Sequence, residues 1–387
     1  MEDAASIRLA YDHNSRLRTI TQAPLNPVTL EYDPSNRRTS LVLPNGVSTE
    51  YQYDLGSRLT ALLYRNALGP LGDLQYTYDA AGNRVSGGGS FARTLLPDAV
   101  PSATYDQGNR QLAFGPQTMT FDDNGNLLTQ TDPSGTLSYT WDARNRLAGL
   151  SGSAVAASFG YDALGRRAQK TLDGGTTAFL YDGMDLVKET DGVGDASYLR
   201  TLGLDEALVR VDSVETLHYL ADALGGTVAL TDSTGGATST YSYEPFGRTS
   251  VDGTGVNAFQ YTGRENDGTG LYYYRARYYD PLRSRFVSED PIGFNAGVNF
   301  YRYAGSNPIL FTDPLGRDAT ITYWPNDARG YGHVGIGVNT DQTSGYYPTS
   351  RPVCLIWGCD VPGHVLNDPT DHPGETPQSV TIQIRFT

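Results

Sequence analysis

Several features common to exported, membrane-bound and disulfide-bonded proteins are missing from this sequence. Its 387 residues include only two cysteines, Cys354 and Cys359, which are too few for a disulfide framework. The opening residues MEDAASIRLAYD lack the basic start and apolar run of a signal peptide. No stretch approaches the ~20 apolar residues that a membrane-spanning helix needs. We therefore expect neither an export signal nor a membrane anchor in this chain.

Positive charge is also scarce. Lysine and arginine total 29 against 43 acidic residues, which gives a net charge of −14. Such a chain repels phosphate, so we do not expect the whole chain to bind nucleic acid or an anionic membrane. The sequence also has no phosphate-binding loop, no GxSxG and no HExxH motif, so these enzyme classes are excluded.

The residues that are abundant favour a β protein. The chain has 44 glycines and 27 tyrosines, but only 3 methionines and 19% charged residues. Tyrosine is common in strands and glycine in tight turns. The composition therefore predicts many short strands joined by glycine turns.

A pattern of an aromatic residue, aspartate, a polar turn and arginine recurs along the chain. It is seen in YDALGRRAQKTLDG, and an alternating strand-like stretch flanks each copy, as in LSYTWDARNRLAGLSG. Spacing of about 20 residues indicates stacked supersecondary units, here β-hairpins. The copies begin at Tyr11, Tyr32, Tyr53, Tyr78, Tyr105, Phe121, Trp141, Tyr161 and Tyr181.

Each conserved type in the repeat has a predicted structural role. The aspartate can accept backbone N–H bonds in its turn, and glycine or asparagine can supply positive φ. We expect each aromatic ring to pack on the ring of its neighbour, so that many hairpins form one twisted sheet that stacks or curls. The alternative is a repeated ligand surface, such as an aromatic ladder that binds sugars.

Residues 1–317 resemble the Rhs or YD-repeat proteins. The resemblance rests on the repeats and on HYLADALGGTVALTD, YSYEPFGRT and FQYTGRENDGTGLYYYRARYYDPLRSRFVSEDPIG, which is similar to the Rhs-associated core. It implies a spiral β-sheet that winds into a hollow shell around a carried C-terminal polypeptide. About nine repeats imply only part of a shell. We expect a mostly β fold with a hairpin array (1–250), an associated core (251–317) and a small α+β or β module (318–387).

Two DPxG motifs, at Asp290 and Asp313, provide a candidate active site. Two carboxylates held close together cannot both ionise easily, so such a pair can act as acid and base on a peptide carbonyl. The resemblance implies self-cleavage after Arg317, where the family usually has leucine, and release of a toxin. The alternative is that Asp-Pro only initiates turns.

Four arginines in YRARYYDPLRSRF accompany these motifs: Arg275, Arg277, Arg283 and Arg285. They could orient the carboxylate pair or stack on aromatic rings, and core packing is the favoured interpretation.

Composition changes after Arg317, where lysine is absent and the repeats stop. We expect strands around Ile321, from His333, and at TSGYYPTS, the last as an edge strand. This segment resembles the opening of permuted papain-like hydrolases of the NlpC type, which implies that His333 is the base for a cysteine nucleophile. No helix for that nucleophile follows, and VCLIWGCD is typical of a packed hairpin. A satisfied polar role is the alternative for His333.

Neither a metal nor a cofactor is predicted. A zinc set would need ligands with tighter spacing than the five candidates in the tail offer. These candidates are His333, Cys354, Cys359, His364 and His372.

Taken as a member of the Rhs family, the chain is expected to be part of a secreted or surface toxin used in competition between bacteria. Its implied partners are its own C-terminal tail as cargo, a cognate immunity protein and a delivery machinery. Two alternatives stay open at this point. One is a cell-surface carbohydrate-binding protein without catalysis, and the other is a relic with an inactive tail.

Overall fold

The computed structural model describes residues 6–255 and 257–317 and, after Arg317, the backbone of five short strands. Strands dominate the described residues, and within each sheet the strands that follow one another along the chain pair in antiparallel order. No helix in this described part is long and apolar enough to cross a bilayer.

The first sheet contains the strands of the first repeats in sequential order. Its strands are β1 (Ile7–Tyr11), β2 (Leu17–Gln22), β3 (Val28–Tyr32), β4 (Arg38–Val42), β5 (Ser48–Tyr53), β6 (Leu59–Asn66), β7 (Gly69–Tyr78) and β8 (Arg84–Gly88).

The second sheet has sixteen strands, again in sequential order. They are β9 (Ala103–Tyr105), β10 (Gln111–Phe114), β11 (Gln117–Phe121), β12 (Leu127–Asp132), β13 (Gly135–Trp141), β14 (Leu147–Ser151), β15 (Ala156–Tyr161), β16 (Arg167–Leu172), β17 (Gly175–Asp182), β18 (Asp185–Thr190), β19 (Asp195–Arg200), β20 (Ala207–Val211), β21 (Thr216–Ala221), β22 (Thr227–Thr231), β23 (Ala237–Tyr243) and β24 (Thr249–Gly253).

Residues 257–317 form a compact segment that we call the core segment. It has a four-stranded antiparallel sheet and three 3₁₀ turns, Tyr261–Gly263, Gly293–Ala296 and Ala304–Ser306. The strands of this sheet are β25 (Glu265–Asn266), β26 (Tyr272–Tyr274), β27 (Arg277–Asp280) and β28 (Arg285–Phe286).

The described strands after Arg317 are β29 (Thr320–Trp324), β30 (His333–Gly337), β31 (Thr343–Pro348), β32 (Gly363–Asn367) and β33 (Gln383–Ile384). The first four form an antiparallel sheet, and β33 pairs with β1. The prediction that TSGYYPTS is an edge strand was wrong, because β31 lies between β30 and β32 and pairs with both.

The repeat turns follow the predicted chemistry. In the turn after β15, Asp162 Oδ1 accepts the backbone N–H groups of Leu164 and Arg166, both at 2.9 Å. Its Oδ2 accepts Nε of Arg166 at 2.7 Å, and Gly165 adopts φ 84°. An aspartate with the same arginine partner four residues later is found at Asp12, Asp33, Asp54, Asp106 and Asp142. We call this unit the Asp–Arg turn.

The contact between successive repeats differs from the predicted packing of ring on ring. The guanidinium of Arg146, in one turn, lies 4.4 Å above the ring of Tyr161, which begins the next repeat. The Tyr161 hydroxyl donates to the carbonyl of Leu147, at 2.8 Å. The same arginine-on-ring contact joins Arg16 to Tyr32, Arg37 to Tyr53, Arg58 to Tyr78 and Arg166 to Tyr181.

The two large sheets share one hydrophobic core. Leucines and valines of β1–β7 pack with residues of β19–β22, such as Val209 and Ala229. The Tyr64 hydroxyl donates to the carbonyl of Ala221 at 2.7 Å across this interface, and Arg38 pairs with Glu206. Two further clusters pack the core segment against the second sheet. The array is therefore the surface on which the core segment is built.

Most of the repeat aromatics pack against the hydrophobic clusters, whereas Tyr105 is 53% exposed. Tyr32, Tyr78, Trp141 and Tyr161 are partly buried and pack against the hydrophobic clusters. Because arginines also cover ring faces, this packing favours the scaffold interpretation over an open sugar-binding ladder.

We expect the turn carboxylate to carry much of the stability of each repeat. Asp122 accepts the N–H groups of Asn124 and Asn126 and the side-chain amide of Asn126, at 2.8–3.0 Å. Asp122→Ala should lower the free energy of unfolding by about 1–3 kcal/mol, because the donors of the buried Asn126 lose their acceptor.

The neighbouring Asp123 is an exposed matched control. Asp123→Ala should change the free energy of unfolding by no more than about 0.5 kcal/mol. Urea unfolding followed by Trp141 fluorescence measures both, since Trp141 Nε1 donates to Leu127 O in the adjoining repeat. Equal losses in the two variants would contradict the assigned role.

Candidate active site around the paired DPxG motifs

Arg277 is the centre of the candidate site. It begins β27, and its guanidinium carbon lies 3.6 Å from the centre of the Phe286 ring. Its side chain is only 1% exposed. A guanidinium stays charged at any ordinary pH, so a buried arginine requires acceptors on all sides.

Both predicted carboxylates reach this guanidinium. Asp290 Oδ2 lies 2.6 Å from Nη2 of Arg277, and Asp313 Oδ2 lies 3.3 Å from the same nitrogen. Their side chains are 0% and 1% exposed. The structure thus brings together the two aspartates of the DPxG motifs. With all three groups ionised the trio carries a net charge of −1, which burial makes costly.

The chain between the two motifs folds back along β28. Phe286 donates its N–H to the carbonyl of Tyr301 at 3.0 Å, and Arg285 forms a β-bridge with Arg302. The guanidinium of Arg277 also donates to the carbonyl of Phe300, at 2.8 Å. These bonds return the second motif to the first.

Each aspartate uses its other oxygen to hold its own turn. Asp290 Oδ1 accepts the N–H of Ile292 at 3.0 Å, and Asp313 Oδ1 accepts the N–H of Arg317 at 2.9 Å. The turn role and the paired role therefore coexist at both positions. A third DPxG motif, DPSG, also has a turn role: Asp132 bonds Ser134 in the exposed hairpin between β12 and β13.

Residues 275–277 hold three consecutive carbonyls of residues 314–316. The turn that they hold, Pro314–Arg317, is called the DPLG turn below. The bonds run from Arg275 Nη1 to Pro314 O at 2.5 Å, from the Ala276 N–H to Leu315 O at 3.2 Å, and from Arg277 Nε to Gly316 O at 2.6 Å. These three bonds fix the backbone of the DPLG turn against the start of β27.

The remaining predicted residues divide into described and undescribed groups. The side chain of Arg317 is exposed, and its backbone N–H donates to Asp313 in the site. His333 begins β30 and pairs with Trp324 along the backbone, but its side chain lies outside the described residues. So do Cys354, Cys359 and the side chain of His364, as well as His372. In the part of the chain whose side chains are described, no three acidic, histidine or cysteine residues are arranged to hold a metal.

Tyrosines close the site. Tyr274 donates its hydroxyl to that of Tyr303 at 3.2 Å, and both rings pack with Phe286. Burial raises the pKa of Tyr303 to about 12, and the charge of Asp313 adds to this effect. Tyr303 is therefore neutral at physiological pH and contributes no charge to the site.

Sequence reasoning named Arg277 only as one of four arginines and preferred a packing role for all of them. The other three do have different partners: Arg283 pairs with Asp280 at 2.6 Å, and Arg285 donates to the Asn109 carbonyl at 2.6 Å. Arg275 contacts the array. The one available signal was the spacing R-x-R before the paired motifs, and it does not say which arginine faces the carboxylates.

The two DPxG glycines provide a matched test of this geometry. Gly316 has φ 64°, and a Cβ there would lie 2.3 Å from the carbonyl oxygen of Tyr274. Gly293 has φ 59°, with no atom within 4 Å of such a Cβ. Gly293→Ala should lower the free energy of unfolding by about 1 kcal/mol through backbone strain. Gly316→Ala should lower it several-fold more, because it displaces the DPLG turn.

Thermal unfolding of the two variants beside the parent measures this difference. If Gly316→Ala loses no more stability than Gly293→Ala, the DPLG turn is not held as tightly as described.

Comparison with known proteins identifies the family. The family model described as Teneurin YD-shell matches residues 45–309. The double-stranded DNA deaminase toxin A of Burkholderia cenocepacia (strain H111) is 31% identical over 319 residues, covering 72% of this chain and 21% of that protein. The tRNA nuclease WapA of Bacillus subtilis (strain 168) is 30% identical over 261 residues, covering 63% of this chain and 11% of that protein.

The fold has a close counterpart among solved structures. The crystal structure of TcdB2-TccC3 superposes with a TM-score of 0.60 at 21% identity, covering 80% of this chain and 21% of that one. This likeness confirms the predicted mostly β, curled hairpin array. The chain spans only about a tenth to a fifth of the length of these relatives. On the family model and the deaminase toxin, the chain belongs to the YD-shell family, the Rhs and YD-repeat proteins that its motifs predict.

Proposed function

We propose that this chain is the self-cleaving end of a toxin scaffold. In this proposal Asp290 and Asp313 cut the bond after Arg317 and release residues 318–387. The observation that carries the proposal is that both carboxylates lie on one nitrogen of Arg277, while Asp313 also bonds the backbone N–H of Arg317. This places a carboxylate pair beside the residue whose carbonyl would be attacked.

The placement of two carboxylates on one guanidinium suits aspartyl chemistry. One carboxyl acts as the acid and the other as the base. The ionised oxygen then takes a proton from a water molecule whose oxygen attacks the carbonyl carbon of Arg317. The protonated carboxyl gives its proton to the amide nitrogen of residue 318 as the C–N bond breaks. Water is consumed, and a new carboxylate and a new amine are formed.

The biological part of the proposal rests on the relatives. Those described above include a DNA deaminase toxin and a tRNA nuclease, each much longer than this chain. We infer that residues 1–250 and 251–317 are scaffold and core, and that residues 318–387 are the carried effector. A toxin released from its own scaffold requires delivery outside the producing cell, a delivery machinery and an immunity protein that protects the producer. Competition between bacteria is the setting that fits these needs.

The activity of the effector segment is a separate hypothesis. His333 remains the candidate base of a cysteine hydrolase, since it begins a strand, as in the resembled fold. The packing of most repeat rings on the hydrophobic clusters, several of them beneath arginines, argues against the carbohydrate-binding alternative.

Intact mass spectrometry of the purified full chain tests the cleavage. The wild type should separate into residues 1–317 and 318–387, while Asp290→Asn and Asp313→Asn should each remain whole. Asp132→Asn is the matched control, because Asp132 begins a DPxG motif outside the core segment and bonds Ser134 in its own hairpin turn. It should cleave like the wild type.

Three results would contradict the proposal: an uncut wild type, cleavage in both dyad variants, or a loss of cleavage in Asp132→Asn equal to that in the dyad variants. Thermal unfolding of each protein should accompany the masses, so that an uncut but unfolded variant is recognised.

Arg317 is expected to have little influence on where the chain is cut. Its exposed side chain makes no part of the site, whereas its backbone N–H is bound by Asp313. Arg317→Leu should therefore cleave at the same bond, with a rate within about threefold of the wild type. Mass analysis of fragments over a time course decides this. A changed cut position would show that the side chain selects the bond.

A further inference from the structure

Arg275 connects the DPLG turn to the repeat array. It lies in the turn between β26 and β27 with φ 57°, a conformation that costs a non-glycine residue energy. Its Nη1 donates to the carbonyl of Pro314 at 2.5 Å, three residues before the bond proposed to be cut. The strained turn therefore directs the guanidinium of Arg275 toward the DPLG turn.

The other contacts of this guanidinium come from the array. Asp205 accepts Nη2 on Oδ1 at 2.7 Å and Nη1 on Oδ2 at 3.0 Å, a bidentate pair. Asp185 Oδ1 lies 3.3 Å from Nη2, and the Met184 carbonyl accepts Nε at 3.2 Å. Asp185 begins β18, and Asp205 lies in the turn between β19 and β20. Thus two turns of the array hold one side of Arg275.

The carboxylate of Asp205 is itself fixed. Its backbone has φ 62°, and its Oδ1 also accepts Nη1 of Arg264 at 2.5 Å. Burial alone would raise the pKa of Asp205, but Arg264 and Arg275 hold it below its ordinary value, so the group is ionised at neutral pH. The backbone of Asp205 also lies close to the core segment, since a Cβ on Gly263 would lie 2.6 Å from the Asp205 carbonyl oxygen.

We propose that Arg275 is a positioning residue that makes self-cleavage depend on docking of the core segment to the array. This inference rests on the proposed function. Arg275 touches neither carboxylate of the dyad through any bond described above; it holds the Pro314 carbonyl in a place set by Asp205. When the turns after β17 and β19 are not folded, Arg275 loses its anchors. The DPLG turn then loses its position beside the dyad. Cleavage then follows folding of the shell wall.

Arg167 provides a matched control. It also joins the array to the core segment, because it begins β16 and pairs with Glu265 Oε2 at 2.5 Å and with Asp267. Its described partners include no residue of the DPLG turn. A purely structural contribution to docking should therefore be shared by Arg167 and Arg275, whereas positioning belongs to Arg275.

The experiment is a time course of full-chain cleavage during cell-free synthesis, where the uncut precursor is visible from the start. We expect Arg275→Ala to slow cleavage by at least about tenfold. Asp205→Asn should act in the same direction, because each change breaks the link from the array to the DPLG turn. Arg275→Lys should recover part of the rate, since an ammonium can still donate to the Pro314 carbonyl. Arg167→Lys should cleave within about twofold of the wild type.

Folding is measured separately in the Asp290→Asn background, where every variant stays uncut and its unfolding temperature can be compared. Cleavage of Arg275→Ala at the wild-type rate overturns the inference alone. So does a slowing that follows the loss of unfolding temperature equally in the Arg167 and Arg275 variants, or a lysine variant no faster than alanine. A wild type that stays uncut like Asp290→Asn overturns the proposed function, and this inference with it.

Discussion

The Asp–Arg turn is the interaction on which the rest of the structure depends. A lone β-hairpin is marginally stable in water, and an isolated exposed ion pair contributes little. Here the carboxylate of Asp162 accepts two backbone N–H groups in addition to Nε of Arg166, so the pair also closes the turn. The same guanidinium lies over the ring of Tyr181 in the next repeat. Each turn thereby fixes its own hairpin and the position of its neighbour.

The core segment uses the same two groups, carboxylate and guanidinium, away from water. Arg167, Arg264 and Arg277 are almost fully buried, and each pairs with acidic side chains. Desolvation offsets much of the attraction in such pairs, so they add less stability than their short distances suggest. Their effect is on geometry, because a buried guanidinium is satisfied in only one arrangement of its acceptors. At Arg277, that arrangement fixes the position of the DPLG turn.

Local signals in the sequence predicted a large part of this molecule. Period, turn chemistry and strand alternation are encoded within about twenty residues, so the hairpin array and the role of the turn aspartates were predictable. The arginine-on-ring contact was missed, because Arg146 reaches Tyr161 across a strand pair and the pattern itself shows only adjacent types. The position of TSGYYPTS as an inner strand was missed because β32 follows only after a long interval.

The candidate site shows the same limit more sharply. The two DPxG motifs were recognisable, yet DPSG at Asp132 has the same four-residue form and lies in an exposed hairpin turn of the array. What distinguishes Asp290 and Asp313 is a shared partner, Arg277, which lies 36 residues before Asp313. Only the fold brings the three groups together, and it does so where water is excluded and an unbalanced charge is costly. The chemistry therefore resides in the convergence, and the motif supplies the parts.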